Sequence, residues 1–176
     1  MHEYELHYRD IIVHTDDPPQ DYHLLHRLDG PAHITDCVQI WYKNGQIHRV
    51  DGPAIIYNPR HPKYFLLHTY EEWFYEDKSH RIGGPSEMLI NGGWSWYENG
   101  NLHREDGPAS YYPNSSSQRD YQYYIYGEAV EEEVFNTIGA ATDLKQLSLF
   151  LTSPSKAERY LAEKQLIKLK EYNKVG

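Results

Sequence analysis

Four histidine–arginine pairs recur along this chain, each beside acidic residues, and such groups could bind a metal ion or transfer protons. Each pair opens a near-copy of the heptapeptide His-Arg-x-Asp-Gly-Pro-Ala, and the copies occupy residues 26–32, 48–54, 80–86 and 103–109. Imidazole is a common metal ligand and a frequent general base. A motif that recurs at roughly 20–50 residues also indicates a repeat architecture. The first question is therefore whether like residues of different copies can meet.

Repeat geometry argues against a shared metal or catalytic site. If each repeat adds two strands about 4.8 Å apart, equivalent histidines are separated by about 10 Å. A zinc ion needs three or four ligands within about 2.3 Å. We therefore predict no metal site, no cofactor and no catalytic residue. Catalysis by the repeated residues and direct ligand binding by them remain as alternatives.

A structural role explains the motif better. In an extended segment Arg49 and Asp51 point to one face and can pair, and each arginine can lie across a tryptophan or tyrosine ring of a neighbouring strand. We assign this structural role to the repeated residues of all four copies. They are His26, Arg27, Asp29, His48, Arg49, Asp51, His80, Arg81, His103, Arg104 and Asp106.

Short hairpins are the elements that must position these residues. Residues 41–54 and 96–109 share the pattern Trp-Tyr-x-Asn-Gly-x-x-His-Arg-x-Asp-Gly-Pro-Ala. Asn-Gly between apolar runs predicts a two-residue type I′ turn. Asp-Gly-Pro predicts a second turn, in which glycine supplies an unusual φ. In the third copy Glu76 and Asp77 replace Asn-Gly, so we expect a less tight turn there.

The chain is predicted to be α+β and mainly β, with a repetitive antiparallel β-hairpin meander followed by two or three C-terminal α-helices. The sheet domain covers residues 1–130 and begins with a strand at 3–9. Its repeats lie near 22–35, 41–57, 73–90, 94–112 and 121–130.

The helical segment covers residues 131–176. Glutamates at 131–133 suit the first turn of a helix, and a catalytic acidic cluster is the alternative interpretation of these residues. Thr142 is the expected cap of a second helix. Ser153 and Pro154 are the expected N-cap and first residue of a third.

The repeat pattern resembles the variant MORN-type repeats of antitoxin-like proteins of the YwqK kind and of phage and large-virus proteins. The resemblance covers residues 22–136 and includes a terminal unit in which Tyr123, Tyr124 and Gly127 precede the glutamate-rich helix start. It implies an array of β-hairpins. It also implies an inhibitor role: an antitoxin, an immunity protein or a viral factor that blocks a host defence enzyme.

Composition and charge narrow the class of partner. The net charge is −9, and residues 1–153 carry −12, with 11 Lys and Arg against 23 Asp and Glu. Such a surface disfavours nucleic acid and anionic membranes and suits a basic protein partner. Cys37 is the single cysteine, so no internal disulfide forms, and the chain has no apolar run of about 18 residues and no secretory signal. We expect a cytoplasmic protein, in the host cytoplasm if it is viral.

These observations favour a protein-binding module without catalytic activity, in which an aromatic, acidic sheet surface binds another protein such as a toxin or defence enzyme. Tyrosine and tryptophan dominate interface energetics and supply the candidate contacts. The alternatives are a structural or assembly subunit of a viral particle or larger complex, a hydrolase with a hidden His/Asp site, and lipid-headgroup binding. The candidate contact residues are Trp41, Tyr42, Trp73, Tyr75, Trp94, Trp96, Tyr97, Tyr123 and Tyr124.

Overall fold

The structure is α+β and mainly β. A computed structural model describes residues 4–8, 11–15, 25–61, 69–113 and 121–175. Antiparallel strands and hairpins extend to Val130 and helices follow, which confirms the predicted fold class and order of elements. In these ranges no helix combines the length and the apolar character that a bilayer crossing requires. Residues 22–24, where the first repeat is predicted to begin, lie outside the described residues.

The chain divides into two compact units. The first comprises Met1–Asn101 with Tyr112–Asn114, and the second comprises Leu102–Tyr111 with Ser115–Gly176. The change from strands to helices falls close to the predicted residue 131, but the compact division comes earlier in the chain. The reason is the last hairpin, whose Ile125 and Val130 pack with the helices in one apolar core.

The first unit is built from very short antiparallel strands. Its strands are β1 (Tyr4–Tyr8), β2 (Ile11–Thr15), β3 (His33–Ile34), β4 (Val38–Ile40), β5 (Tyr42–Lys43), β6 (Gln46–Ile47), β7 (Ile55–Tyr57), β8 (Thr69–Glu72), β9 (Phe74–Tyr75), β10 (Lys78–Ser79), β11 (Glu87–Leu89), β12 (Trp94–Ser95) and β13 (Tyr97–Glu98). Strand β14 (Asn101–Leu102) begins in this unit and ends in the second. The main sheet has the order β12-β11-β8-β7-β4-β3-β1-β2, and β5 with β6 and β9 with β10 form separate hairpins.

Two-residue turns close the hairpins as the Asn-Gly dipeptides predict. Asn44 and Gly45 have φ angles of 52° and 80°, and Asn99 and Gly100 have 51° and 84°. Positive φ at both central positions defines the type I′ turn, whose twist matches that of the flanking strands. The fifth repeat, at residues 121–130, has the same kind of turn, with positive φ at both Tyr126 and Gly127.

The hairpin of the third repeat, formed by β9 and β10, corrects one expectation. Glu76 and Asp77 adopt φ angles of 49° and 62°, and Lys78 pairs with Tyr75 across them. The turn is therefore as short as the Asn-Gly turns. A residue that carries a Cβ is strained in this left-handed conformation. Two hydrogen bonds between Asp77 and Ile47 offset the strain. The Asp77 amide donates to the Ile47 carbonyl at 3.0 Å, and the Asp77 carboxylate accepts from the Ile47 amide at 2.8 Å.

The second unit joins a small antiparallel sheet to the helices. Its strands are β15 (Ser110–Tyr111), β16 (Tyr121–Ile125) and β17 (Glu128–Val130), and its helices are α1 (Glu132–Ala140), α2 (Leu144–Leu151) and α3 (Lys156–Val175). Their apolar faces meet in one cluster. Its buried members are Ile125, Val130, Ile138, Ala141, Leu147, Ala157, Leu161 and Ala162.

The helix starts differ from the predicted caps by one or two residues. Helix α1 begins directly after Glu131, with glutamates in its first turn as expected. Asp143, and not Thr142, caps α2 by accepting from the Gln146 amide. Ser155, and not Ser153, accepts from the Glu158 amide at the start of α3. In both cases a neighbouring side chain that can also accept reaches the first helical amides.

Candidate functional site

Each motif is tied to the hairpin that follows it in the chain. The amide of every motif arginine donates to a carbonyl of the next hairpin. The four bonds join Arg27 to Tyr42 (3.0 Å), Arg49 to Phe74 (3.1 Å), Arg81 to Tyr97 (3.4 Å) and Arg104 to Tyr124 (3.1 Å). This repeated backbone contact stacks one repeat on the next, as repeat proteins require.

A second contact to the next hairpin comes from the side chains of the motif histidines. Nδ1 of His26 accepts from the Asn44 amide at 3.0 Å, Nδ1 of His80 from the Asn99 amide at 3.2 Å, and Nδ1 of His103 from the Tyr126 amide at 3.2 Å. An accepting Nδ1 places the proton of a neutral imidazole on Nε2. Three of the four histidine side chains therefore accept a hydrogen bond from a backbone amide in the turn of the next hairpin.

His48 differs from the other motif histidines. Its Nδ1 is buried and has no hydrogen-bond partner among the described residues. The Tyr75 ring lies 4.7 Å from the His48 ring and 6.3 Å from the His80 ring, so it stands beside both. Within the described ranges no three His, Cys, Asp or Glu side chains are grouped so that they could hold a metal ion.

Three motif arginines pair with the aspartate of their own motif, as predicted, and Arg49 and Arg81 lie over tryptophan rings. Nε of Arg49 donates to Asp51 at 2.9 Å, and its guanidinium lies 4.2 Å from the centroid of Trp41. This bond and the positive charge lower the pKa of the exposed Asp51. Arg81 lies 3.9 Å from the Trp73 centroid. In addition, each motif arginine donates to the carbonyl of its own motif proline, at 3.0–3.3 Å.

The motif glycine serves a different purpose from the one predicted. Gly30, Gly52, Gly84 and Gly107 do not adopt the left-handed φ expected of them. Instead, the arginine of the same motif packs directly over the glycine Cα. A Cβ built on Gly52 would lie 2.6 Å from Cζ of Arg49. Glycine is needed there because the guanidinium approaches the backbone closely.

The predicted contact aromatics lie mostly within the scaffold. Tyr42 is buried, so its ring is not available to a partner. Tyr75 is 43% exposed. The other seven are half-buried: two tryptophans lie under motif arginines, and Tyr123 donates to Glu132 and packs on Phe135. The half-buried positions are Trp41, Trp73, Trp94, Trp96, Tyr97, Tyr123 and Tyr124.

Among the described residues of the first unit, the most exposed apolar side chains sit at a motif position that was not among the predicted contacts. The third residue of the motif is Leu28, Val50 and Ile82 in the first three copies, and these side chains are 79%, 77% and 90% exposed. We call these three residues the aliphatic ladder. The signal was present in the sequence, because the residue after the motif arginine is a branched aliphatic one in three of the four copies.

A cleft lies between the first two turns of this ladder. Its volume is about 470 Å³, and its walls include Leu28, Val50 and the ring of Trp41. The carboxylates of Asp29 and Asp51 also line it, and their side chains are 85% and 84% exposed. The paired arginines are only 27% and 24% exposed. The exposed Lys43 lines the cleft as well, which therefore presents aliphatic side chains together with charged groups of both signs.

The fourth motif has a different third residue, Glu105, and helix α3 covers it. Tyr160 donates to the Glu105 carboxylate, and Nζ of Lys164 lies 3.1 Å from the same oxygen. His103 stacks on Tyr126 at 4.0 Å and lies 3.9 Å from Glu105. Burial raises the pKa of Glu105, but the bonds from Tyr160 and Lys164 and the positive charges outweigh burial and lower the pKa overall. Burial and the bond to Glu105 raise the pKa of Tyr160.

Cys37 and Glu72 are two further groups with a bearing on reactivity that the structure describes in buried or partly buried surroundings. Cys37 is buried one residue before β4, and its sulfur lies 3.1 Å from Oγ1 of Thr35. Burial raises the pKa of Glu72, and the negative charge of its cross-strand neighbour Glu87 raises it as well. A hydrogen bond from Tyr57 lowers it but does not outweigh them.

No protein-family model matches the chain, and the comparisons with curated proteins and with solved structures find no significant match.

Proposed function

We propose that this protein is a protein-binding module without catalytic activity, of the inhibitor type found among antitoxins, immunity proteins and viral anti-defence factors. The observation that carries the proposal is the aliphatic ladder of the first unit. Three aliphatic side chains are exposed at the same position of three successive turns. A repeated apolar surface that the fold itself does not need is typical of a binding site.

The surroundings of the ladder suit a protein partner. The first unit contains 8 Lys and Arg against 15 Asp and Glu, which gives a net charge of −7. Such a field favours a basic protein and speeds its association. Tyr75 adds an exposed aromatic side chain within the same unit. The resemblance to MORN-type repeats and the cytoplasmic location expected from the single free cysteine remain part of this proposal.

The test is a capture experiment with matched variants. The full chain is immobilised and exposed to a lysate of the cells in which it is naturally made. We expect a stoichiometric partner that salt releases, and inhibition of that partner's activity when the purified proteins are mixed. The triple variant Leu28→Ser/Val50→Ser/Ile82→Ser should lose the partner. Leu149→Ser removes an equally exposed leucine from α2, 73% exposed, and should retain it.

Three results would contradict the proposal. Equal capture by the triple variant would mean that the ladder is not the binding surface. Incorporation of the protein into purified particles, with no partner inhibited, would favour the assembly-subunit alternative instead. Hydrolytic activity of the purified chain that one His→Ala change abolishes would favour the enzyme.

A further inference from the structure

We infer that the aliphatic ladder binds a basic amphipathic helix of the partner, one whose apolar side chains repeat every seven residues along one face. The inference rests on the proposed protein-binding function and specifies what the surface recognises. Three independent features lead to it: the spacing of the turns, the helix that covers the fourth turn, and the net negative charge of the first unit.

The spacing of the ladder matches that of a helix. The first three motifs lead into β3, β7 and β11, which are alternate strands in the sheet order β3-β4-β7-β8-β11. Strands about 4.8 Å apart place successive turns about 10 Å apart. Residues seven apart on an α-helix lie on the same face and are separated by about 10.5 Å. One helix of about 15–20 residues can therefore reach all three turns.

The second unit contains a helix docked on the equivalent turn. Tyr160 and Lys164 are four residues apart on α3, on one face, and both contact the third residue of the fourth motif, Glu105. This contact shows that a motif turn accepts a helix face. The side chains of the helix are also complementary to the residue that they cover, because a hydroxyl and an ammonium group contact a carboxylate. By the same logic the three aliphatic residues call for apolar side chains.

The charge of the first unit favours a basic helix. The unit carries a net charge of −7, and Asp29 and Asp51 are exposed next to Leu28 and Val50. Each of these carboxylates is bonded to the arginine of its own motif, and Lys43 lines the same cleft. The attraction of a basic helix therefore comes from the acidic surface of the whole unit and does not orient the helix along the ladder.

The test uses the full chain and synthetic peptides. The probe is a fluorescent 21-residue helical peptide with leucine at positions 4, 11 and 18 and lysine at the flanking positions, and binding is measured by fluorescence anisotropy. One control peptide has the same composition with its leucines on different faces, and another has glutamate in place of lysine. We expect the patterned basic peptide to bind at least about tenfold more tightly than either control.

The protein variants locate the binding site. The triple variant Leu28→Ser/Val50→Ser/Ile82→Ser should weaken binding at least about tenfold, and Leu149→Ser should leave it unchanged. Higher salt should weaken binding of the wild-type chain, since exposed charges are screened. All ladder positions are exposed, so the triple variant should remain folded, which circular dichroism checks.

Other outcomes overturn the inference. Equal binding of the peptide with scattered leucines would reduce the interaction to unspecific charge attraction. A concentration-dependent dimer of the wild-type chain, absent in the triple variant, would show that a second copy covers the ladder. If the ladder captures a lysate partner but no peptide binds, the inference fails and the proposed function stands. If neither binds, both fail.

Discussion

The first three motif turns and the fourth are built alike but differ in what their third residue meets. All four use an arginine over a glycine, bonded to the motif proline carbonyl. In the first unit the third residue is aliphatic and exposed, whereas in the second unit it is a glutamate under α3. The scaffold of the turn therefore does not depend on this residue. Its identity follows what covers it.

This difference separates structure from recognition within one short motif. The arginine amide in all four motifs and the histidine in three of them hold each repeat to the next, while the glycine makes room for its own arginine. These contacts recur in both units. The third residue contributes nothing to that framework, so it is free to match a neighbour. In the fourth repeat the neighbour belongs to the chain itself. In the first three we propose that it belongs to a partner.

The largest expected effect tests whether the glycine and arginine packing is equally tight in both units. Gly52→Ala places a Cβ 2.6 Å from Cζ of Arg49, whereas the matching distance for Gly107→Ala is 3.2 Å from Arg104. The first change must displace the guanidinium from Trp41 and from the Pro53 carbonyl, and should cost about 2–3 kcal/mol. The second should cost less than about 1 kcal/mol.

Urea unfolding measures both variants. All four tryptophans lie in the first unit, so their fluorescence reports its unfolding, and circular dichroism at 222 nm reports the helices of the second. Losses that are equally small in the two variants would mean that the arginine moves aside without cost. In that case the close approach would not explain the glycines.

A reciprocal exchange of the third residues should be strongly asymmetric. Glu105→Val removes the partner of Tyr160 and Lys164 and should destabilise the second unit by about 1–2 kcal/mol. Val50→Glu changes an exposed side chain and should shift the stability of the first unit by no more than about 0.5 kcal/mol. It should nevertheless weaken binding of the basic peptide. Comparable destabilisation by both exchanges would contradict the distinction between covered and open turns.

Acid should weaken the second unit through Glu105. Because the pKa of this carboxyl is lowered in the folded state from its usual 4.5, its contribution is complete above that usual value and is lost as the pH falls through the lowered folded value. Tyr160→Phe removes one donor and should cost about 1 kcal/mol at pH 7, less the screening at a partly exposed site.

The measurement is the free energy of unfolding from ellipticity at 222 nm, taken at pH 7 and pH 3. The loss on acidification should be smaller in Tyr160→Phe and smaller still in Glu105→Gln, where this group no longer titrates. An unchanged acid response in Glu105→Gln would assign the pH dependence to other carboxyl groups.

The smallest effect concerns the third hairpin. Glu76→Asn keeps the left-handed φ of 49° with a residue that tolerates it better, and should stabilise the first unit by about 0.5 kcal/mol. Asp77→Gly relieves strain too, but it removes the acceptor of the Ile47 amide, so we expect no gain. Thermal unfolding of the two single variants compares them. A larger gain from Asp77→Gly would show that the carboxylate contact is not needed.

Much of the fold could be predicted because it is determined locally. Asn-Gly dipeptides set the register of two hairpins, the spaced motifs revealed the repeats, and the glutamates at 131–133 indicated a helix start. The arginine–aspartate pairs also followed from alternation along an extended segment. Each of these inferences needs only residues within one turn of the chain or one repeat.

The candidate site was less predictable. The nine aromatic candidates were chosen by residue type, yet Tyr42 is buried and Trp41 and Trp73 lie under arginines. The exposure of the third motif residue depends on which segment passes over it, and α3 is more than 50 residues away from Glu105 in sequence. Spacing alone carries no such information.

The sequence by itself determined the repeat, its hairpins and the helical end of the chain, since turn chemistry and periodicity act over a few residues. Only the tertiary structure decided that the motif glycines make room for arginines and that the tight turn between β9 and β10 tolerates Glu76 and Asp77. It also decided that one motif turn is covered while three are exposed. Those features depend on contacts between segments distant in sequence. Packing, rather than local preference, sets them.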